Sequence, residues 1–169
     1  MIPKRDRRGK GSLLSMYTLE QLERKAKCKW TIVQYIGAPL QILVFLISLG
    51  FVLYTFFVSD ELFGLTNGII VFKVLFLYFM FITGMLWEKE VIGKYYLSAE
   101  FFWEDVVSTW VLILHTSYVT ALLLGVKDHK TLLLIILVAY VSYVINAIQY
   151  FIKVMRNRAS QQLLALPKD

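Results

Sequence analysis

Long apolar stretches dominate the pattern of hydrophobic and polar positions along this chain. Residues 30–58, 106–126 and 131–152 contain no Asp, Glu, Lys or Arg, and a fourth stretch over residues 62–87 is interrupted only by Lys73. Each is at least as long as the ~20 residues with which an α-helix crosses a hydrocarbon layer of about 30 Å. The pattern therefore predicts an all-α membrane protein with a bundle of four transmembrane helices. Lys73 is expected to extend its ammonium to the nearer interface.

The same pattern divides the chain into three regions. We expect a basic arm over residues 1–29, a transmembrane domain over residues 30–153 and a tail over residues 154–169. Thr18 is placed to cap a short interfacial helix within the arm, because Thr is a favoured residue at helix N-termini. The four transmembrane helices are predicted at about residues 30–58, 66–88, 104–126 and 131–153.

Composition agrees with a membrane protein. The chain is 58% hydrophobic and 18% charged, whereas soluble domains are about 45–50% apolar and about 25% charged. The net charge of +6 could suggest nucleic acid, but residues 1–29 alone hold nine Lys or Arg against three acids and so carry the whole excess. Beside a transmembrane helix, such an arm is expected to lie on anionic lipid, with no nucleic-acid partner. A single cysteine, Cys28, excludes an intramolecular disulfide scaffold.

The loops are also sorted by charge. If the N-terminus is cytoplasmic, the cytoplasmic segments hold 15 Lys or Arg and the opposite side holds three, Lys73, Lys127 and Lys130. The positive-inside rule then predicts that both termini are cytoplasmic. The expected location is the cytoplasmic (inner) membrane, which the chain crosses several times.

Polar side chains inside the predicted helices are candidates for a site, because such groups are costly in lipid. Gln41, His115 and Asn146 lie roughly 10–16 Å from the cytoplasmic helix ends. Glu104, Ser108 and His115 share a face, since eleven residues leave only about 20° of rotation. These groups either hydrogen-bond to hold the bundle together or converge on a ligand. His115 could also exchange protons or bind a metal, or simply donate to a backbone carbonyl. The fourth helix presents a comparable polar face with Tyr143, Asn146, Gln149 or Tyr150, and Lys153.

The connection between the second and third helices holds five acids against two lysines. Glu88 ends one helix and Glu104 opens the next, so their carboxyl groups can face each other between aromatic rings. Apolar walls increase the proton affinity of a carboxyl group, which suits general acid catalysis. The ordinary alternatives are helix capping by Glu104 and Asp105 and surface salt bridges of Glu88 and Glu90 with Lys89 or Lys94. Glu88 and Glu90 are two residues apart, so both cannot face inward.

Five short matches connect this chain with a known family over about residues 30–153. They are Ala38-Pro39-Leu40-Gln41; Trp87-Glu88-Lys89-Glu90-Val91 with Gly93 and Tyr95; Phe101-Phe102-Trp103-Glu104-Asp105-Val106; Leu114-His115-Thr116; and Tyr143 with Asn146 and Gln149. In these features the chain resembles the 3-vinyl bacteriochlorophyllide hydratases. The two runs that combine acids with aromatic residues are the specific part. The basic arm lies outside the matched stretch.

The resemblance implies a hydro-lyase of bacteriochlorophyll biosynthesis. Water would add to the 3-vinyl group of a chlorophyllide or bacteriochlorophyllide and give a 3-(1-hydroxyethyl) group, by acid–base catalysis without a cofactor. Glu104 is the expected proton donor and Glu88 the group that orients or deprotonates water, with Asp105 and Glu90 as alternates. His115 is expected to relay protons or to bind the substrate's magnesium. The protein itself is expected to need no metal of its own.

The implied partners are the magnesium tetrapyrrole substrate, the lipid bilayer and a second copy of the chain. The alternative is a non-catalytic membrane protein that binds, carries or assembles tetrapyrrole, which would shift the pigment spectrum without releasing product. A transporter fits less well because every acid lies at or beyond a predicted helix end. Substrate contacts are expected from polar and aromatic side chains, namely Gln41, Trp87, Lys89, Trp103, Ser108, Tyr143, Asn146 and Gln149.

Overall fold

Helices make up nearly all of the chain in the computed structural model, which describes residues 17–165 and, except for Leu19, the side chains of residues 17–156. Helix α1 spans Leu19–Lys27, α2 Lys29–Phe57, α3 Phe63–Val91, α4 Phe102–Leu123 and α5 His129–Ala165, with a 3₁₀ turn at Asp60–Leu62. No strand occurs within the described range. The four longer helices are long and apolar enough to cross a membrane. This confirms the predicted all-helical fold with four membrane spans, while most of the predicted basic arm lies outside the described residues.

The last helix is longer than the charge pattern indicates. Helix α5 continues through Lys153 and Arg156 to Ala165, although the transmembrane segment was expected to end at residue 153. Charged residues limit how far a helix can enter hydrocarbon, but they do not break it, because Lys and Arg are good helix formers. The charge pattern therefore predicts where the membrane span ends, whereas the helix itself extends further.

Helix α1 begins with the predicted cap. The Thr18 hydroxyl accepts a hydrogen bond from the Gln21 amide at 3.2 Å, and the Gln21 side chain accepts one from the Thr18 amide at 2.8 Å. This reciprocal pair forms a capping box and confirms Thr18 as the N-cap residue. Cys28 has an extended backbone and separates α1 from α2. Helix α1 is therefore a distinct helix, and it packs against α3.

The transmembrane bundle consists of two closely packed pairs, α2 with α3 and α4 with α5, with looser contact between the pairs. Gly37 of α2 lies directly against the side chain of Met80 in α3. Its missing side chain permits this close approach, as small residues commonly do between membrane helices. All four long helices contribute to one apolar core, which contains Phe45, Val52, Ile70, Val74, Leu77, Val111, Tyr118, Leu132, Leu133, Ile136, Ala139, Tyr140 and Tyr143.

Hydrogen bonds between side chains link the helices at membrane depth. Each such bond contributes about 0.6 kcal/mol on average in a membrane protein, so together they fix the register of the bundle. Many of its polar residues are accounted for in this way. The pairs are Gln34 with Thr83 at 2.9 Å, Ser48 with Tyr140 at 2.5 Å, Thr55 with Thr66 at 2.7 Å and Tyr78 with Thr116 at 2.6 Å.

The two connections at the far end of the bundle contact each other. The ring of His129 stacks on Phe63 with centroids 3.6 Å apart, and its Nδ1 lies 3.8 Å from a carboxylate oxygen of Asp60. Asp128 accepts a hydrogen bond from the Thr131 hydroxyl at 2.5 Å at the start of α5. That hydrogen bond holds the pKa of Asp128 below its usual range. The connections after α2 and α4 thus pack together at this end of the bundle, opposite the acidic connection.

Candidate active site at the acidic end of the bundle

The connection between α3 and α4 turns back over the end of the bundle. Gly93 ends α3 with a φ of 99°, and its amide donates to the carbonyl groups of Glu88 and Lys89 at 3.2 and 3.0 Å. This is a common glycine helix end. Leu97 has a φ of 53°, which is unusual for a residue with a side chain. The strained backbone at Leu97 directs its amide toward a carboxyl group of α4, so the loop and the helix are fixed together.

Glu88 and Asp105 form a buried carboxyl pair. Their side chains are only 4% and 6% exposed, and the two carboxyl groups lie in hydrogen-bonding contact. Glu88 Oε1 accepts from the Ser98 amide at 3.1 Å, and Asp105 Oδ2 accepts from the Leu97 amide at 2.8 Å. A hydrogen bond between two carboxyl groups requires a proton on one of them, because ionised carboxylates are acceptors only. The last turn of α3 and the first turn of α4 therefore bring together two buried carboxyl groups that are placed to share one proton.

Glu104 has a different partner. Its Oε2 lies 2.7 Å from Lys153 Nζ, and both side chains are about one-sixth exposed. The same ammonium donates to the backbone carbonyl of Glu100 and lies 4.1 Å from the ring centroid of Phe101. A carboxylate that receives a charge-assisted hydrogen bond from an ammonium is stabilised in its ionised form. Glu104 is thus paired with Lys153, whereas Glu88 and Asp105 are paired with each other.

A polar patch between α4 and α5 continues from this ion pair toward the membrane interior. The Asn146 side-chain amide donates to the Ser108 hydroxyl at 3.1 Å, and the Tyr150 hydroxyl also contacts Ser108. Within the described residues, the buried atoms Ser98 Oγ and Gln149 Oε1 have no hydrogen-bond partner. Buried polar atoms normally have one, so these two are positioned to bind a water molecule or a polar group of a ligand.

Aromatic rings and α1 cover this end of the bundle. Trp87 and Phe101 meet edge to face with centroids 5.6 Å apart, and the buried ring of Tyr17 lies 6.5 and 6.4 Å from them. Burial raises the pKa of the Tyr17 phenol above its ordinary value, so this hydroxyl stays neutral. Lys25 Nζ lies 4.9 Å from the Tyr17 ring centroid. The carboxyl pair is therefore covered by an apolar roof that begins before the first transmembrane helix.

A second buried polar contact lies deep in the core. Lys73 Nζ donates to Nε2 of His115, and Nδ1 of His115 donates to the Val111 carbonyl at 2.7 Å. Both side chains are fully buried, and Lys73 Nζ lies 4.5 and 4.4 Å from the ring centroids of Tyr140 and Tyr143. The expectation that Lys73 reaches the interface is therefore wrong, because its side chain faces inward. Both ring nitrogens of His115 have partners, and the roles expected for it, proton relay and magnesium ligand, stay predictions.

The other sequence-predicted residues are divided between the surface and the core. Glu90, Lys89 and Trp103 are exposed, and Lys89 Nζ lies over the Tyr95 ring at 3.8 Å. Gln41 is buried on the inner face of α2. Among the described residues, no three His, Cys, Asp or Glu side chains are arranged to hold a metal ion. Of the thirteen side chains proposed from the sequence, the structure brings six together at the acidic end: Glu88, Glu104, Asp105, Ser108, Asn146 and, among the covering aromatic rings, Trp87.

Sequence reasoning did not include several residues of this site. Lys153 lies on the polar face predicted for the fourth helix, and its spacing from Asn146 could have indicated that both residues belong to the site. Ser98 and Leu97 act through backbone amides, for which a sequence offers no signal. Tyr17 lies in the arm that the resemblance left out.

Comparison with known proteins identifies close relatives. The model of the family described as 2-vinyl bacteriochlorophyllide hydratase matches residues 17–156. A 2-vinyl bacteriochlorophyllide hydratase of Cereibacter sphaeroides is 44% identical over 147 residues, which cover 87% of this chain and 91% of that protein. A protein of the same name from Rhodobacter capsulatus is 42% identical over 144 residues, 85% of this chain and 83% of the relative. No solved structure matches.

The family match begins at residue 17 and so includes Tyr17 and α1. The stretch expected from the resemblance, about residues 30–153, is therefore too short at its N-terminal side. The missing part is the helix whose packing covers the carboxyl pair. The match confirms the resemblance seen in the sequence, although these names number the vinyl group 2 and not 3.

Proposed function

Because this chain belongs to the 2-vinyl bacteriochlorophyllide hydratase family, we propose that it hydrates the vinyl group of a bacteriochlorophyllide with the proton shared by Glu88 and Asp105. The observation that carries this proposal is the buried contact between the two carboxyl groups. General acid catalysis needs a proton held at a fixed position and released to the substrate in the transition state. The pair satisfies the first requirement, and its place at a helix junction beneath aromatic rings provides an apolar site for a pigment.

The reaction proceeds in two steps on this pair. The shared proton is transferred to the terminal vinyl carbon, which becomes a methyl group. The positive charge then lies on the carbon attached to the macrocycle, whose conjugated system delocalises it. During this interval Glu88 and Asp105 are both ionised, and the Ser98 and Leu97 amides stabilise the additional negative charge.

Water completes the reaction from the polar side of the site. Its oxygen forms a bond to the cationic carbon, and one of its protons returns to the carboxyl pair. The pair regains its single proton, so one water molecule is added with no net change in the protein. The unpaired Ser98 hydroxyl and Gln149 Oε1 are available to orient that water, and the Ser108–Asn146 hydrogen bond extends the polar side between α4 and α5.

Glu104 has a supporting role in this mechanism. Its carboxyl group contacts Lys153 and lies outside the Glu88–Asp105 pair, so it is poorly placed to donate the first proton. A fixed carboxylate next to the acid pair stabilises the positive charge that develops on the substrate. We therefore propose Asp105, together with Glu88, as the donor in place of Glu104, which was the donor expected from the sequence.

Replacing Glu104 with Gln should reduce kcat by about 10-fold, because one nearby negative charge is lost while the proton donor remains. The measurement is the initial rate of hydroxyethyl product formation at saturating vinyl pigment. Lys153→Met, which removes the other member of the ion pair, should give a loss of similar size. If Glu104→Gln abolished turnover and Asp105→Asn retained it, Glu104 would be the donor and this assignment would be wrong.

We further propose that the carboxyl pair faces the cytoplasm and that the chain lies in the cytoplasmic membrane. The excess of Lys and Arg on this side supports that orientation.

Lys94 lies in the acidic connection and Lys127 in the far connection, and both are exposed. In intact cells, a membrane-impermeant maleimide should label Lys127→Cys, and should label Lys94→Cys only after permeabilisation. The single natural cysteine, Cys28, is buried, so it contributes little background. The opposite labelling pattern would reverse the orientation.

A further inference from the structure

A shallow, open groove of about 650 Å³ runs along α4 on the outside of the bundle, at its border with α3, which contributes Tyr78 to the lining. It exists because these two helices are packed less closely than the pairs on either side. Its walls extend from Thr109, near the acidic end, to Val126 at the far end of α4. Pockets that bind small molecules have volumes of about 300–1,000 Å³, so the groove is large enough for a bulky ligand.

The lining of the groove is mostly apolar, with hydroxyl groups between the aliphatic side chains. Half of its ten residues carry hydroxyl groups, namely Tyr78, Thr109, Thr116, Ser117 and Thr120. Acyl chains form no hydrogen bonds. The hydroxyls of Thr109, Thr116 and Ser117 donate to backbone carbonyl groups of their own helix, at Asp105, Leu112 and Leu114 respectively. Their oxygen lone pairs can still accept bonds. Aliphatic side chains between them provide a broad apolar wall, so the groove suits a flat apolar ligand with polar groups at its edge.

The groove is continuous with the carboxyl pair. Asp105, Thr109, Leu112 and Thr116 follow one another at spacings of four, three and four residues, which places them on one stripe of α4. The last three line the groove, and Asp105 lies one turn beyond its acidic end. The Tyr96 hydroxyl donates to the Asp105 carbonyl at 2.8 Å and also bonds to Thr109. Tyr96 therefore marks the boundary between the acid pair and the groove.

We infer that the groove between α3 and α4 receives the planar tetrapyrrole from the bilayer and holds its macrocycle with the vinyl edge toward Asp105. This inference rests on the proposed function, because the ligand is the substrate of that reaction. An apolar pigment concentrates in lipid, and the groove opens to lipid along its length. The macrocycle can therefore approach the carboxyl pair from the side, without displacing the aromatic roof formed by Tyr17, Trp87 and Phe101.

Thiol labelling tests this placement. Ser117 lies in the groove, whereas Val138 of α5 is 57% exposed and lies outside it, so the variants Ser117→Cys and Val138→Cys form a matched pair. Each is reconstituted in phospholipid nanodiscs and alkylated with a lipid-soluble maleimide, with and without magnesium vinyl chlorophyllide. At a pigment concentration about ten times Kd, alkylation of Ser117→Cys should slow about 10-fold, as occupancy requires. The rate for Val138→Cys should stay the same.

Turnover measured in the same samples separates this inference from the proposed function. If Ser117→Cys protein hydrates the pigment but is alkylated at an unchanged rate, the groove is not the binding site, although the proposed function stands. If wild-type protein forms no hydroxyethyl product, the proposed function itself fails. If a straight-chain fatty alcohol at the same concentration protects Ser117→Cys equally well, the groove binds acyl chains and the inference is overturned.

A bulky substitution gives an independent readout. Ala121 lies within the groove, so Ala121→Trp should raise KM for the pigment at least about 10-fold, a loss typical of blocking a well-packed contact. The value of kcat should change much less, because the carboxyl pair is untouched. Val138→Trp is the control and should leave both constants near wild type. An unchanged KM in folded Ala121→Trp protein would contradict the inference.

Discussion

Asp105→Asn should lower kcat for hydration by about 10²–10⁴-fold, the usual contribution of a general acid, while pigment binding is retained. Asn has the size of Asp and keeps an oxygen that can accept the hydrogen bond from the Leu97 amide, whose nitrogen lies 2.8 Å from Asp105 Oδ2 in the wild-type protein. The loop is therefore expected to keep its conformation. It cannot release a proton to the vinyl carbon. The measurements are single-turnover rates of product formation and the pigment absorption shift that reports binding.

Glu88→Gln should lower kcat by a similar factor, because the proton is shared between two carboxyl groups. Either substitution leaves a single carboxyl group, which cannot share a proton with an amide in the same way. Glu90→Gln is the matched control, since Glu90 lies on the same final turn of α3 but is exposed. It should retain the wild-type rate. A wild-type rate in both Asp105→Asn and Glu88→Gln would remove the carboxyl pair from the mechanism, and loss of activity in Glu90→Gln alone would move the acid to the surface.

His115→Ala should have the largest effect on stability. The substitution leaves the Lys73 ammonium without an acceptor in a core that excludes water, and it creates a cavity. Removing one partner of a buried charged contact costs about 3–5 kcal/mol, and a cavity left by a large side chain costs a similar amount. The free energy of unfolding, measured by denaturant titration in mixed micelles, should fall accordingly.

The double variant Lys73→Met/His115→Ala distinguishes a structural role from a catalytic one. Removing the ammonium as well should recover part of the lost stability, since an apolar side chain of similar length needs no acceptor. Protein that is folded in either variant should hydrate pigment at a rate close to wild type. If His115→Ala were as stable as wild type but inactive, with pigment still bound, His115 would be a proton relay and the structural role would be wrong.

Charge and hydropathy were sufficient to predict the number of membrane helices, because hydrocarbon excludes charge over a defined length. They could not predict the direction in which a side chain points. Lys73 was expected to reach the interface on the basis of its position along α3, yet its burial against His115 depends on the rotation of that helix about its axis. This rotation is set by packing with the other helices, which a single sequence does not specify.

The choice between Glu104 and Asp105 illustrates the same limit at the site. Neighbouring residues on a helix point about 100° apart, so only one of the two can face Glu88. Sequence reasoning located the acids at the correct helix junction but favoured Glu104. The decisive contacts come from Lys153 at the end of the α5 membrane span and from the strained turn at Leu97. Both depend on long-range packing, so the junction was predictable from the sequence, whereas the pairing of Glu88 with Asp105 was not.

Hydration in oxygen-18 water tests the central claim most directly. Purified wild-type protein, given vinyl bacteriochlorophyllide in that water, should release a pigment that is heavier by one water molecule and carries the heavy oxygen in its new hydroxyethyl group. Asp105→Asn protein should bind the same pigment and form almost none of this product. A wild-type protein that shifts the pigment spectrum without forming product would be a carrier. An Asp105→Asn protein that incorporates the label at the wild-type rate would contradict hydration by the Glu88–Asp105 pair.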